Sequence, residues 1–352
     1  MKNISDIDKN FKVQTNIQRS GIVFHNVTDK PFMVYGVFYS NGKFRRMPED
    51  VAKTVSDRVY ALHARGAGGR VRFKTDSKYV AIIARMDNIS KMPHCALTGS
   101  AGFDMYVKNN GCEEYYNTFV PPFTISDGFE SVLDFNTKQC REITINFPLY
   151  SDVRELYIGL DKNARIEKAS PYRITRPIVY YGSSITQGGC ASRPGNSYQA
   201  IISRRFDCDY INLGFSGSAK AESQIADYIK KLDMSLFVYD YDHNAPTVEH
   251  LLNTHAKMFN AVREEQNNLP IIIMSRPKYN LTDEERQRLD IIRQTYSQAV
   301  ASGDKNVYLI DGKKLTEICR NNGTVDNGHP NDYGFASMAE ALGDVIAKAN
   351  IF

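Results

Sequence analysis

The sequence lacks any long hydrophobic run. No stretch of its 352 residues approaches the roughly 18 consecutive apolar residues of a membrane-spanning helix. The opening residues 1–10 also lack the apolar segment of a secretory leader. From these two absences we expect a protein that does not contact a membrane and that resides in the cytoplasm.

Closely spaced cysteines and concentrated basic charge are missing too. The six cysteines, at positions 95, 112, 140, 190, 208 and 319, include no Cys-x-x-Cys pair, so we expect reduced thiols. The formal net charge is only +4 and the basic residues are dispersed, whereas a duplex-binding protein normally shows a concentrated basic face. Nucleic acid is therefore not an expected partner.

Signatures of metal and cofactor sites are absent as well. Residues 66–69 are glycine-rich, but they lack the Gly-Lys-Ser/Thr ending of a phosphate loop and precede a strand, so we expect a turn. Asp240, Asp242 and Asn244 have the one-three-five spacing of a calcium loop, but Ala245 replaces the glycine at its sixth position. The sequence shows no zinc-like cluster of histidine and cysteine. We predict neither a metal nor a cofactor.

Length and pattern indicate two domains, because 352 residues exceed one typical core. From about residue 23 to residue 160, short segments alternate apolar and polar side chains, as in residues 71–75. The Asn-Asn-Gly run at residues 109–111 is typical of a hairpin turn. These features predict an all-β, jelly-roll-like sandwich in residues 1–170.

From residue 171 onward, strand-like and helix-like segments alternate. Residues 270–274 are near-continuously apolar, as a strand covered on both faces should be. A capping box at residues 282–285 opens a long helix that extends to about residue 301. Alternating units of this kind predict an α/β domain with a doubly wound parallel sheet in residues 171–352.

The candidate nucleophile follows the first strand of this second domain. Ser184 lies in the run Gly-Ser-Ser-Ile-Thr-Gln-Gly at residues 182–188, directly after a buried strand. The carboxyl end of such a strand is where an open parallel sheet presents chemistry. A serine hydroxyl is inert at neutral pH unless a base takes its proton, so the hypothesis requires a histidine and an orienting acid.

Such a pair lies near the other end of the chain. Asp326 and His329 are three residues apart in a polar segment that precedes a last amphipathic stretch. One tight turn places the carboxylate beside one ring nitrogen and leaves the other nitrogen free to meet Ser184. An acid that orients a base, and a base that activates a nucleophile, is the logic of a catalytic triad.

Two further segments offer groups that could bind an oxyanion. Residues 212–218 follow a strand, and their glycines allow a backbone N–H to approach a ligand closely. Residues 242–246 follow the next strand and contain a side-chain amide. Donors aimed at a developing oxyanion are usually the largest catalytic contribution.

These four blocks, in this order, resemble the SGNH (GDSL-type) hydrolase superfamily, whose name lists the Ser, Gly, Asn and His of the blocks. The resemblance implies a flavodoxin-like hydrolase domain in which Ser184 is the nucleophile and Asp326 and His329 are the acid and the base. It also implies that the N–H groups of Ser184 and Gly217 and the amide of Asn244 form the oxyanion hole.

Two blocks depart from the usual pattern of the superfamily. Ser183 stands where the first block usually has aspartate, and residues 242–245 read Asp-His-Asn-Ala where the third usually reads Gly-x-Asn-Asp. Residues 182–188 and 191–198 are similar to one two-domain branch with an N-terminal β-sandwich. That branch is associated with deacetylation of carbohydrates and, in a few members, with acyl transfer.

The resemblance therefore implies a serine esterase that removes small acyl groups, chiefly acetyl, from a carbohydrate or another acylated small molecule. We expect residues 187–197 to form a polar rim beside the nucleophile. Acyl transfer, a lipase or thioesterase activity and a carbohydrate-binding protein with a degenerate site remain alternatives, although the sequence has no obvious apolar lid. The N-terminal sandwich either helps to bind carbohydrate or completes the fold by covering an edge. The sequence specifies neither the sugar nor the oligomeric state.

Overall fold

The computed structural model describes residues 13–352. The opening segment, on which the predicted absence of a leader rests, lies outside the described residues. Among the helices of the described part, none is both long and apolar enough to cross a membrane.

The N-terminal part of the described chain is built from antiparallel strands. They are β1 (Ile22–Asn26), β2 (Met33–Tyr35), β3 (Phe38–Ser40), β4 (Lys43–Arg45), β5 (Arg70–Thr75), β6 (Tyr79–Asp87), β7 (Phe103–Asn109), β8 (Cys112–Phe119), β9 (Gly128–Asp134), β10 (Arg141–Asn146), β11 (Asp152–Asp161) and β12 (Ile166–Glu167). One sheet has the order β1-β11-β6-β9 and the other the order β12-β5-β10-β7-β8, with β2 paired to β5. Strands β3 and β4 form a separate hairpin.

The two larger sheets pack face to face around one apolar core. Phe73 and Ile143 of one sheet are fully buried in the same cluster as Ile82 and Leu156 of the other. Alternate residues of each strand point inward, which is the packing of a β-sandwich. We call residues 22–167 the N-terminal sandwich. The expected hairpin turn is present between β7 and β8, where Asn110 and Gly111 both adopt positive φ, 49° and 84°.

Three short helices interrupt this predominantly β region, and the sequence analysis did not predict them. They are α1 (Glu49–Val55), α2 (Asp57–Leu62) and α3 (Leu97–Ser100). Their length is the reason, because helices of seven, six and four residues are too short to display a helical period. Ala52 and Val59 of the first two helices are buried in one cluster with Tyr181 and Ile225 of the following domain.

The C-terminal part contains a parallel sheet. Its strands are β13 (Ile174–Gly182), β14 (Cys208–Gly214), β15 (Leu236–Asp240), β16 (Ile271–Met274) and β17 (Val307–Ile310). They are ordered β14-β13-β15-β16-β17 and all pair in parallel. Counted from β13, this order is 2-1-3-4-5, that of flavodoxin-like doubly wound sheets. The predicted fold class is confirmed, and we call residues 174–348 the parallel-sheet domain.

Helices cover both faces of this sheet. They are α4 (Ser184–Gln187), α5 (Tyr198–Phe206), α6 (Ser223–Ile229), α7 (Val248–Glu265), α8 (Asp283–Ala301), α9 (Gly312–Leu315) and α10 (Asp332–Lys348). Successive residues of β13 point to opposite faces, so Ile178 packs with α5 and α10 while Val179 packs with α6 and α7. The capping box between Thr282 and Glu285 is present at the start of α8.

The edge strand β14 is covered by arginines of the N-terminal sandwich. Arg46 donates hydrogen bonds of 3.0 Å and 2.7 Å to the carbonyl oxygens of Asn212 and Gly214. Arg70 donates one of 3.3 Å to the carbonyl oxygen of Tyr210. These three carbonyls belong to alternate residues, so they face the same side of the strand. The N-terminal sandwich therefore closes an edge that would otherwise be open to pairing.

Candidate active site

The nucleophile candidate lies at a tight turn from β13 into α4. The side chain of Ser183 caps the helix by accepting a hydrogen bond of 3.1 Å from the Ile185 N–H. Gly182 is required at the turn because a Cβ there would lie 2.1 Å from the carbonyl oxygen of Asp240. Ser184 is consequently the first residue of the helix, buried, at the carboxyl end of β13.

The structure brings Ser184, His329 and Asp326 into one hydrogen-bonded chain. Ser184 Oγ lies 2.9 Å from His329 Nε2, and His329 Nδ1 lies 2.8 Å from Asp326 Oδ2. The second carboxylate oxygen, Oδ1, accepts bonds of 2.7 Å from the His329 N–H and 3.1 Å from the Gly328 N–H. The three-residue spacing therefore does form the tight turn that the sequence predicts.

These contacts also set the proton arrangement. Partial burial raises the pKa of Asp326, but the backbone and ring hydrogen bonds from His329 outweigh it and hold the pKa at about 2. A carboxylate can only accept, so Nδ1 of a neutral His329 carries the proton and Nε2 is left as an acceptor for the Ser184 hydroxyl. This is the tautomer that general-base activation of a serine requires.

The predicted oxyanion-hole residues come from the loops after β13, β14 and β15. Gly182 is in register with Gly214 on one side and with Asp240 on the other, so the three strands end side by side. Gly217 adopts a φ of 66°, which favours glycine. Asn244 ends a three-ten turn that begins at Asp242.

The proposed donors of this hole are free of protein acceptors. Within residues 13–352, no acceptor takes the N–H of Ser184 or Gly217, and the Asn244 amide makes no side-chain hydrogen bond. Its Oδ1 is buried without a partner. Donors held in place but left unpaired are what binding of a transient oxyanion requires.

Asp240 and Asp242, which the sequence analysis rejected as calcium ligands, accept hydrogen bonds from other residues of the chain. Asp240 Oδ2 accepts hydrogen bonds of 2.9 Å from Thr186 Oγ1 and 3.4 Å from the Tyr198 hydroxyl. Burial raises the pKa of Asp240 to about 7. Asp242 Oδ2 accepts a bond of 3.0 Å from the Arg276 N–H. The sequence analysis missed that Asp240 ties the nucleophile helix to the strand beside it.

The expected polar rim at residues 187–197 is largely buried, which corrects the prediction. Gln187 is fully buried because its amide donates to the Leu149 carbonyl at 3.1 Å and accepts from the Ser216 N–H at 3.0 Å. Asp332 accepts bonds of 2.8 Å from the Ser192 N–H and 2.9 Å from the Asn196 amide. Of the segment, Ser192, Arg193 and Asn196 retain partial exposure. Many of the polar groups of this segment are therefore already hydrogen-bonded within the protein.

The N-terminal sandwich reaches the nucleophile directly. The Tyr150 hydroxyl donates a hydrogen bond of 3.2 Å to the Ser184 carbonyl oxygen. Asp104, which is fully buried, accepts a bond of 2.8 Å from the Gly195 N–H and pairs with Arg193 at 3.1 Å. The sandwich therefore holds the loops that surround Ser184.

The fold also assembles a cluster that no sequence pattern indicates. His94, Cys190 and His329 each present a ligand-type atom, and these atoms lie within 4.8 Å of one another. The sequence analysis found no zinc-like cluster because these residues come from three distant segments. A cleft of about 840 Å³ lies away from this site, at the opposite end of the strands, where residues such as Arg263 and Asp304 line it.

Both parts of the chain match known families. Residues 175–347 match the GDSL-like lipase/acylhydrolase family, and residues 22–166 match the N-terminal domain, GxDLY, of SGNH hydrolase-type esterases. No curated protein is significantly similar to this chain in sequence.

Solved structures share the two-domain architecture. A Bacteroides ovatus protein described as a GDSL-like lipase is 26% identical, covers 93% of this chain and 97% of its own, and has a TM-score of 0.83. A salicylyl-acyltransferase from a tetracycline biosynthetic pathway is 18% identical, with coverage of 95% and 99% and a TM-score of 0.79.

A third similar structure is a family two carbohydrate esterase from Clostridium thermocellum in complex with cellohexaose. It is 14% identical, with coverage of 91% and 100% and a TM-score of 0.61. The two family matches fall on the two parts of the observed fold. One covers the antiparallel sandwich and the other covers the parallel sheet of order 2-1-3-4-5. The chain belongs to the SGNH (GDSL-type) hydrolase superfamily, in its two-domain form with an N-terminal β-sandwich.

Proposed function

We propose that this protein is a serine esterase that removes small acyl groups, chiefly acetyl, from carbohydrates through an acyl-enzyme. The observation that carries the proposal is the continuous chain of hydrogen bonds from Ser184 Oγ through His329 to Asp326. Nucleophile, base and orienting acid stand within hydrogen-bonding distance without any rearrangement of the fold.

In the first half of the reaction, Ser184 Oγ attacks the ester carbonyl carbon while His329 Nε2 takes its proton. Asp326 stabilises the imidazolium that results. The negative charge develops on the carbonyl oxygen, which accepts hydrogen bonds from the proposed donors, the N–H groups of Ser184 and Gly217 and the Asn244 amide. The tetrahedral intermediate collapses as His329 returns the proton to the departing sugar oxygen, leaving the acyl group on Ser184.

In the second half, a water molecule replaces the alcohol. His329 removes a proton from the water as its oxygen attacks the acyl-enzyme carbonyl. The second tetrahedral intermediate expels Ser184 Oγ, which recovers the proton from His329, and the carboxylic acid leaves. In both halves, side chains transfer the protons and carry the acyl group, and the same proposed donors bind the oxyanion.

Two observations support a carbohydrate ester as the substrate. A carbohydrate esterase crystallised with cellohexaose shares both domains of this fold over most of each chain, and an acetyl xylan esterase does so with a TM-score of 0.59. The partly exposed residues of the segment that follows the nucleophile helix, Ser192, Arg193 and Asn196, are polar, which suits a hydroxylated substrate better than a long acyl chain.

Acetate release from a panel of acetylated oligosaccharides tests this function, with the Ser184→Ala variant as the matched control. We expect release by the intact protein and none by the variant. A series of nitrophenyl esters of increasing acyl length should show highest kcat/KM for acetate. A rise in kcat/KM with chain length would favour a lipase or thioesterase instead.

Acyl transfer is the second candidate, because the acyltransferase neighbour superposes with a TM-score of 0.79, above the 0.61 of the carbohydrate esterase. The two reactions share the acyl-enzyme and differ in the group that accepts the acyl. Adding alcohols or sugars to a nitrophenyl acetate assay separates them. Transfer predicts faster nitrophenol release together with an acetylated acceptor, whereas hydrolysis predicts acetate alone.

A further inference from the structure

Four residues with sulfur or nitrogen donors lie close together, and one of them is the triad histidine. His94, Cys190 and His329 place their ligand-type atoms within 4.8 Å of one another. Cys95 Sγ lies 3.6 Å from Cys190 Sγ, so a second thiol adjoins this group. The rings of His94 and His329 lie 5.5 Å apart, measured between centroids. We call these four residues the His/Cys cluster.

The spacing of the two thiols is that of a tetrahedral zinc site. Zinc binds thiolates at about 2.3 Å and imidazoles at about 2.0–2.1 Å, so two of its ligand atoms are separated by roughly 3.3–3.8 Å. The two thiols already have this spacing, at 3.6 Å. The ligand atoms of His94, Cys190 and His329, within 4.8 Å of one another, need to move inward by up to about 1 Å to reach it, and the side chain of His94 is exposed.

Asp326 completes the features expected around such an ion. Histidines that bind metals usually donate their other ring N–H to a carboxylate, which fixes the tautomer and raises the basicity of the ligand. His329 Nδ1 makes that bond to Asp326 at 2.8 Å. The nitrogen left for a metal is Nε2, the one that lies 2.9 Å from Ser184 Oγ.

We propose that His94, Cys95, Cys190 and His329 bind a zinc ion that inhibits the enzyme. On binding, each cysteine thiol releases its proton to solvent and the metal takes the lone pair of His329 Nε2. That lone pair can then no longer accept the proton of Ser184, so the metal-bound enzyme is inactive. Ion binding itself is independent of the proposed esterase function, whereas the inhibition rests on it.

The alternative interpretation of the cluster is a hydrogen bond between two neighbouring thiols that bind no ligand. The two interpretations differ in the role of Cys190, which is buried and lies close to Cys95 and to the two histidines. The triad accounts for the position of His329, but neither the triad nor a thiol pair without a ligand accounts for the ring of His94, which lies 5.5 Å from that of His329 and close to Cys190. A zinc site gives His94 and both cysteines a common role.

Binding is measured without reference to activity, on the full chain carrying Ser184→Ala and kept reduced with a phosphine. Competition with a chromophoric zinc chelator gives affinity and stoichiometry. We expect one zinc ion per chain. Cobalt in place of zinc should show a thiolate-to-cobalt charge-transfer band and the intense visible bands of a tetrahedral ion.

Cysteine variants in the same background identify the ligands. Cys95→Ser and Cys190→Ser should each weaken zinc binding by more than about 10-fold. Loss of a group that only supports a metal ligand typically costs at least that much, and these two residues are ligands themselves. Cys140→Ser is the matched control, because Cys140 is an exposed thiol outside the cluster, and it should bind zinc like the parent. Failure to bind one zinc ion, or equal affinity in the Cys190→Ser and Cys140→Ser variants, would overturn the proposal.

The enzyme with Ser184 intact tests the inhibition. Zinc should abolish ester hydrolysis and a chelator should restore it. Cys190→Ser, measured relative to its own activity without zinc, should need at least about 10-fold more zinc for the same fractional loss. If zinc inhibited Cys190→Ser and the parent enzyme equally, zinc would act through His329 without the cysteines. That result would contradict the proposed zinc site. If no activity is found under any condition, the proposed function fails and the binding measurement still decides the zinc site.

Discussion

Arg46 of the N-terminal sandwich donates a hydrogen bond of 2.7 Å to the carbonyl oxygen of Gly214, the last residue of the edge strand β14. Its guanidinium also stacks over the ring of Phe215, 5.0 Å from the centroid. Gly217, the proposed oxyanion donor, follows two residues later. The sandwich thus fixes the strand end from which part of the candidate site is built, which gives it a supporting role whether or not it touches substrate.

Replacing Arg46 by methionine should destabilise the protein and impair catalysis together. The substitution leaves the carbonyls of Asn212, Gly214 and Leu62 without their donor. Each buried acceptor left unpaired typically costs about 1–3 kcal/mol, so we expect a fall of at least about 2 kcal/mol in the free energy of unfolding. Urea denaturation measures this free energy. The control is Arg154→Met, at a half-exposed ion pair, whose free energy of unfolding should stay within about 0.5 kcal/mol of the parent. Equal losses in the Arg46 and Arg154 variants would contradict the argument.

Asp326→Asn should reduce kcat by a factor on the order of 10⁴ while the protein stays folded. The new amide would donate to His329 Nδ1, forcing the proton of the ring onto Nε2, where it faces the Ser184 hydroxyl. Steady-state kinetics on nitrophenyl acetate, with the melting temperature as a check on folding, measure the effect. A loss of tenfold or less would mean that Asp326 does not set the tautomer.

Asn244→Ala should lower kcat by about 10²–10³, with little change in KM, if its amide binds the oxyanion. The amide has no protein partner within the described residues, so its removal breaks no internal hydrogen bond. Asn253→Ala, at an exposed position of α7, is the matched control. If the two variants have the same kcat, the oxyanion hole consists of the backbone donors alone.

His255 should make the fold sensitive to acid. Burial lowers the pKa of this ring to about 3, against about 6.5 in an unfolded chain. Between these values the unfolded state binds the proton and the folded state does not, so stability is lost as pH falls. At pH 5 the loss from this group is about 2 kcal/mol.

Thermal melts between about pH 7.5 and pH 5 measure this contribution. His255→Gln should show a smaller fall in melting temperature across that range than the parent. Asn253→Gln, at an exposed position of the same helix that carries no titratable group, should show the same fall as the parent. Identical pH dependence in His255→Gln and the parent would contradict the burial argument.

Much of the fold and of the triad is predictable from the sequence. Apolar runs such as 270–274 and the change from period two to alternating helices reflect local burial, which a linear pattern records directly. Ser184, Asp326 and His329 are predictable because two of them share one tight turn, Asp-x-x-His, and the third follows the first strand of a regular α/β pattern.

The remaining features depend on contacts between distant segments. The burial of the segment 187–197 arises from Asp332, Asp104 and Leu149, none of which is close to it in the sequence. The His/Cys cluster draws on three segments, and no spacing rule joins them. Arg46 has the appearance of an ordinary surface charge in sequence, because two of the three carbonyls that accept its hydrogen bonds, those of Asn212 and Gly214, belong to another domain.

The central claim is that Ser184 is a nucleophile activated by His329, and labelling with a fluorophosphonate tests it most directly. In the presence of a chelator, the intact protein should gain one adduct, mapped by peptide mass spectrometry to Ser184. The adduct should be absent from Ser184→Ala and should form far more slowly in Asp326→Asn. No adduct on the folded protein, or one on Ser183 or Ser216 instead, would contradict the account.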